Sequence, residues 1–550
     1  MKLTIITLLL LITTSASSQK KKEDVFGAPF DFPLTLSGNF GELRSNHFHG
    51  GLDFKTQGVS GKKVLALADG YITKILVTHG SGYVLHVKYN NGYTTINRHL
   101  SGFVSPIAER IKQYQYDNET WEVSIIPDSL EYPVKKGQQI AWSGNTGYSF
   151  GPHLHLDMLE TATGDYIDPL PFFKDRIKDT RAPQAREIMF FSQSGKGAVA
   201  GSQDKLIITP DNKRPVEAWG LIGIGIKAYD YMDGANNRYG VHTVSLFVDG
   251  KEVSTSTVDR FSSYENRMIN SWAYKNAYMK SFIDPGNTLR MLKAKNGQRG
   301  ILTIDEERDY KCLYVLKDLY GNTSRYNFII KGKKQDIQPL DSVGKYYLMW
   351  DKMNFIYEPG LAVFIPTGLL YDNLLLNYQV INDSVSFSPV YQIHDEPVYL
   401  HDFCEMRIGV PDGIKVDSTK YYIARVGENG KRSCIGGTYE NGFMKVRLRE
   451  LGAFTVAVDT VAPVITPVGQ KNWSKNGRVV YKVTENETGI RNYKGTVDGK
   501  YALFGLEIMT NRIIYKLDPK RIKKGTKHTV ELTVTDLCGN TSTVKDTLTW

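Results

Sequence analysis

A chain of 550 residues, 41% hydrophobic and 23% charged, is too long for one hydrophobic core and too apolar for extended disorder; at roughly 150 residues per domain it holds three or four domains. Its formal net charge of +10 suits approach to an anionic wall, but apart from Lys20, Lys21 and Lys22 the positive residues are scattered without an aromatic–basic motif, so nucleic acid is not an expected partner. The 33 tyrosines and recurring β-branched runs favour strands, and the expected fold class is mainly β.

Met1-Lys2, the apolar run Leu3 to Thr13 and the small residues Ser15 to Ser18 read as a signal peptide over 1–18, cut near Ser18 or Gln19. The run is too short to span a bilayer, which takes about 20 apolar residues. No cysteine stands beside the cut and no second run reaches spanning length. The mature chain is therefore expected to be exported, to the periplasm, the cell envelope or beyond the cell, without a transmembrane segment.

Residues 19–178 carry the chemistry. Seven of the 11 histidines fall between His47 and His155, and imidazole is both the commonest metal ligand and a frequent acid–base group. His49-Gly50-Gly51-Leu52-Asp53 places a histidine and a carboxylate on one side of an extended strand, and both suit zinc. Thr94 to Leu100 reads as a strand ending at His99. Gly151-Pro152-His153-Leu154-His155-Leu156 aims both rings at one face and both leucines at the other. Taken singly, each has an ordinary reading: a surface histidine, a half-buried one bonded to backbone, an incidental pair.

Together, and with Ala68-Asp69-Gly70, Gly137-Gln138 and Ser143-Gly144-Asn145-Thr146-Gly147 between them, these segments resemble the lysostaphin-type (LytM-type) zinc endopeptidases over about residues 40–170. The resemblance implies a small antiparallel β-sheet with the site in a groove. It implies one zinc per chain on His49, Asp53 and His155, a fourth position open to water, and His99 and His153 as an unliganded pair handling the proton and the developing oxyanion. The implied activity is hydrolysis of peptide cross-links in bacterial peptidoglycan by a secreted enzyme. Two other classes remain: a non-catalytic, wall-binding regulator of other hydrolases, and a surface adhesion or assembly protein.

Three features depart from the family pattern. Asn97 stands where many relatives carry tyrosine, a position tied to substrate contact. Tyr148-Ser149-Phe150-Gly151 replaces the usual Ser-Thr-Gly approach. The stretch Gly102 to Pro133, with Tyr114, Tyr116 and Trp121, is longer than usual and reads as a flap over the groove or a surface excursion. His47 is read as a neighbour of the site, and His79, His86, His242, His394, His401 and His528 as ordinary residues.

Farther along, the chain repeats itself. Asp179-Thr180-Arg181-Ala182-Pro183 returns as Asp459-Thr460-Val461-Ala462-Pro463, Val248-Asp249-Gly250-Lys251 as Val497-Asp498-Gly499-Lys500, and Asp318-Leu319-Tyr320-Gly321-Asn322 as Asp536-Leu537-Cys538-Gly539-Asn540. These mark two copies of one module, read as immunoglobulin-like β-sandwiches at 179–335 and 459–550, flanking a β-rich domain at 336–458. The three domains are candidates for contacting envelope proteins or glycans, spacing the enzyme, or covering its groove. Of Cys312, Cys404, Cys434 and Cys538, the pair Cys404 and Cys434 is the expected disulfide, because both fall in one domain.

Overall fold

The computed structural model describes residues 25–343, 345–382, 387–411 and 416–550, so the leader 1–18 and Lys20 to Lys22 lie outside the described residues. The chain is mainly β. In the amino-terminal domain the strands that position the site are β1 (Leu36–Gly38), β2 (Gly51–Lys55), β3 (Gly70–Thr78), β4 (Gly82–Tyr89), β5 (Tyr93–Leu100), β6 (Val123–Ile125) and β7 (His153–Glu160). They lie side by side in the order β1-β2-β7-β5-β4-β3-β6, and each neighbouring pair is antiparallel.

This order is what assembles the histidines. The last strand in sequence inserts between β2 and β5, with His155 opposite Asp53 on one side and Arg98 on the other. Alternation along β7 does the rest: Leu154, Leu156 and Met158 are fully buried against Leu52 and Phe54, while His153 and His155 face the opposite side. Each leucine so buried contributes roughly 1.5–3 kcal/mol, so a slip of one residue in register is strongly disfavoured.

The second domain is clamped onto the first. Apart from Arg260–Phe261, its strands between Gln184 and Gly332 form one continuous sheet, including a parallel pairing of Val216–Ala218 with Ile330–Gly332. Its segment Arg260–Phe261 pairs with Tyr166–Ile167 and so extends the amino-terminal sheet. Phe40 and Phe48 of the first domain are buried in the second domain's core, with ring centroids 5.1 and 5.2 Å from Phe261. Arg260 adds contacts of 2.7 Å to Glu160 and 2.8 Å to Asp165. The third domain packs two five-stranded sheets, and the fourth has two of four strands.

The repeated motifs have a local reason. In each copy the asparagine of the Asp-Leu-x-Gly-Asn turn donates its amide to the turn's own aspartate and to the carbonyl of the Asp-Thr-x-Ala-Pro aspartate: Asn322 to Asp318 and Asp179, Asn540 to Asp536 and Asp459. The motif thus ties the start of each module to the turn before its last strand.

The stretch Gly102 to Pro133 neither covers the groove nor projects freely. It carries helix α1 (Ile107–Asp117) and docks on the fourth domain. Lys112 lies 2.6 Å from Asp518, Arg521 stacks over Tyr116 at 4.0 Å, and Trp121 lies flat on Gly505, where an added Cβ would come within 2.5 Å of the ring. Gly505→Val is therefore expected to undock the fourth domain without unfolding it. Hydrogen exchange over residues 112–121 should accelerate; unchanged protection would contradict the contact.

The disulfide expected between Cys404 and Cys434 is not formed, and all four cysteines are free thiols. Cys404 points into the third domain's core from one sheet, whereas Cys434 lies in the other sheet and packs beside Cys538 of the fourth domain. Sequence proximity misleads here because the two sheets separate the pair. Among the described residues no helix is long and apolar enough to cross a membrane.

Candidate metal centre and groove

His49 Nε2, Asp53 Oδ1 and His155 Nδ1 meet at 3.0, 2.9 and 3.0 Å from one another. The other nitrogen of each ring decides what this triangle is. His49 Nδ1 lies 2.6 Å from the carbonyl of Asn39, which can only accept, so Nδ1 carries the proton and Nε2 presents its lone pair. His155 Nε2 lies 2.6 Å from the Asp157 carboxylate, so in the neutral ring Nδ1 presents the lone pair. Two nitrogen lone pairs and a carboxylate oxygen then converge on one point, an arrangement that repels itself unless a cation stands between. These residues could hold a metal ion.

The electrostatics agree. Burial works against the Asp53 carboxylate, yet His49 and His155 hold it well below the usual range. Burial also disfavours charge on His155, but Asp157 and Asp53 outweigh it and lift the ring to about 9. The pocket attracts positive charge, and an ion entering it would displace a proton.

Asp157 had no place in the histidine pattern. It is 2% exposed, and despite burial His155 and Arg98 hold it strongly ionised; Arg98 Nε donates to it at 2.8 Å. The signal was available, since alternation carries His-x-His on to Asp157. Asp157→Asn keeps the shape but weakens the grip on the His155 tautomer. It is expected to lower metal affinity about 10–100-fold, measured by competition with a chelator; an unchanged affinity would contradict the role.

His99 and His153 stand beside the triangle, 4.9 Å apart by ring centroid. Their Nδ1 atoms donate to the carbonyls of Thr146 and Gly151, both at 2.8 Å, which leaves Nε2 of each as an acceptor. Burial, then the neighbouring imidazoles, pushes His99 down to about 4; burial lowers His153 as well. Both are neutral bases at neutral pH. His99 has φ +59°, a left-handed conformation that a non-glycine residue adopts at a cost.

The groove above these residues has a volume of about 1060 Å³. Tyr148 and Phe150 line it at 63% and 97% exposure, so the altered approach to the His-x-His forms an aromatic wall. His47 lines it too, and Asn266 reaches it from the second domain. Asn97 does not: it is 2% exposed and its amide donates to the Leu85 carbonyl. Asn97 therefore makes no contact in the groove, because the turned backbone at His99 breaks the alternation that would put both on one face. Two residues escaped sequence reading altogether. Arg44 lies 3.6 Å from Asp53 Oδ2, and Asn39, whose carbonyl fixes His49, exchanges two side-chain hydrogen bonds with Gly240 of the second domain.

Comparison with known proteins bears on the first and third domains. Residues 345–459 match the Zu5-like domain. Over 147 residues, 26% of this chain and 32% of the relative, the chain is 31% identical to glycyl-glycine endopeptidase ALE-1 of Staphylococcus capitis. Over 123 residues, 22% of this chain and 20% of the relative, it is 32% identical to an uncharacterized metalloprotease of Haemophilus influenzae. Among solved structures, the catalytic domain of the antimicrobial peptidase lysostaphin from Staphylococcus simulans is 27% identical, with 26% of this chain and 92% of that chain covered at a TM-score of 0.19. The chain spans about a third of the first curated relative's length and a fifth of the second's. Over its amino-terminal domain the chain is thus similar to metallopeptidases of the lysostaphin (LytM) type, and its residues 345–459 match a Zu5-like domain.

Proposed function

We propose that the amino-terminal domain, residues 19–178, is a zinc-dependent endopeptidase that hydrolyses peptide cross-links of peptidoglycan, exported to the cell envelope and carried on β domains at 179–335, 336–458 and 459–550. The observation that carries this reading is the convergence of three lone-pair donors beside two further neutral imidazoles at the floor of an open groove. His49, Asp53 and His155 hold one zinc. Bound there, zinc supplies Lewis acidity to a scissile carbonyl and acidifies a water.

The chain's own residues handle position and protons. Asn39 and Asp157 lock the two ligand rings in the tautomers that face inward. His99 or His153 accepts a proton from the attacking water at Nε2 and holds it there for the departing amine. The imidazolium so formed also faces the negative charge that develops on the carbonyl oxygen. The groove's Tyr148 and Phe150 wall offers apolar surface to the peptide stem.

Substitution separates these roles. His99→Ala is expected to keep its zinc and lose about 10²–10⁴-fold in kcat, whereas loss of zinc from that variant would make His99 a ligand instead. The reading itself is tested by digesting two purified walls, one cross-linked through diaminopimelate and one through glycine bridges, and mapping the new amino termini by mass spectrometry. Metal-dependent cleavage of either supports the proposal and names the bond. Binding without cleavage of both favours the regulator.

A further inference from the structure

The first repeat holds a second cluster of carboxylates, far from the histidines in character. Oxygens of Asp179, Asp230 and Asp318 lie within 4.8 Å of one another, and the residues are 6%, 2% and 2% exposed. Asp318 is satisfied: Gly321 N–H, Asn322 N–H and the Asn322 amide donate to it at 2.7, 2.8 and 2.7 Å. Asp179 Oδ1 accepts from Arg181 N–H at 2.9 Å. No donor reaches the buried Asp179 Oδ2 or Asp230 Oδ1, and the Asp179 carboxyl meets instead that of Asp318. The Arg181 guanidinium donates elsewhere, to the carbonyls of Met232 and Ala235.

Both orphaned residues border a cavity of about 10 Å³, about one water in size. Asn39 and Asp168 of the amino-terminal domain line it too, so it sits in the joint between the two domains. Burial and the neighbouring carboxylates raise Asp179 to about 6 and Asp230 to about 8, which is the mark of negative charge lacking a counterion. Buried carboxylates of this kind are ordinarily paired or bound to metal.

We propose that Asp179, Asp230 and Asp318 form a structural calcium site at the joint of the first two domains. An all-oxygen, carboxylate-rich donor set selects a hard cation, and calcium, which accepts flexible coordination by carboxylates, is favoured over magnesium, which demands near-octahedral geometry and keeps most of its waters. The second repeat supplies an internal contrast. Asp459, Glu485 and Asp536 cluster in the same way, yet Thr488 donates to Asp459 at 2.7 Å, Glu487 and Gly489 N–H to Glu485, and Asn540 twice to Asp536 at 2.8 Å. With its oxygens met by donors, that copy needs no cation, and the chain takes one calcium rather than two.

Calcium is titrated into the full chain after chelator treatment, with stoichiometry read by calorimetry and the midpoint of thermal unfolding recorded in parallel. One calcium per chain is expected, with a raised midpoint that equal magnesium does not reproduce. Asp230→Asn should weaken binding at least tenfold, as should Asp179→Asn if the first variant folds poorly. Glu485→Gln and His155→Ala should leave it intact. No binding by the native chain, or binding unchanged in both aspartate variants, would overturn the site and leave a proton as the occupant of Asp230. Loss of binding in Glu485→Gln, or two equivalents of calcium, would overturn the assignment to the first copy alone. Loss in His155→Ala would place the ion in the groove instead.

Discussion

Replacing His155 by alanine is expected to strip the metal from the chain and bring hydrolysis of wall peptides below detection. The ring is one corner of a triangle with edges of 2.9–3.0 Å, and the two remaining donors no longer enclose a site. The change also leaves Asp53 with one imidazole neighbour fewer and removes the partner of Asp157. Metal affinity should therefore fall by far more than the roughly 10–100-fold expected for a supporting residue such as Asp157. Because Leu154 and Leu156, not His155, carry the packing of that strand, the circular dichroism spectrum should be unchanged. A folded variant that retained one tightly held metal would contradict the ligand assignment.

Cutting the chain after residue 178 is expected to destroy activity, not release it. Phe40 and Phe48 are 3% and 1% exposed and belong to the second domain's core, so the cut bares two aromatic rings, a loss of about 3–6 kcal/mol at roughly 1.5–3 kcal/mol each. Phe48 adjoins His49, and its backbone N–H donates to Asn266 of the second domain at 2.6 Å. Asn39, which fixes the His49 tautomer, loses Gly240 in the same stroke. A fragment ending at residue 335 keeps all of these contacts and should retain zinc and activity. Thermal unfolding and wall digestion of the two fragments decide the matter: a short fragment as active as the longer one, or more active, would show that the second domain covers the groove instead of supporting it.

Strand periodicity, a local rule, made the pairs His49–Asp53 and His153–His155 legible in the sequence, and the resemblance to the lysostaphin-type endopeptidases chose the ligands among them. Two short strands suffice to put His153, His155 and Asp53 on one face, and the leucines between them mark the other. Apart from Asp157, the supports were not legible, because they come from far along the chain. Gly240 reaches Asn39 across 201 residues, and the contact of Trp121 with Gly505 depends on how the fourth domain returns to the first. The burial of Asn97 was not legible for a different reason: the positive φ at His99 interrupts the alternation that would put the two on one face. The repeats were visible as motifs, but not the carboxylates that Asp230 and Glu485 add to them, since these occupy no matching motif.

Anomalous diffraction at the zinc absorption edge, from crystals of the chain purified without added metal, tests most directly whether two imidazoles and one carboxylate hold a zinc ion. One strong peak is expected within about 2.0–2.2 Å of His49 Nε2, Asp53 Oδ1 and His155 Nδ1. No peak there, at full occupancy of the protein and with the three side chains ordered, would contradict the zinc site and with it the proposed hydrolysis.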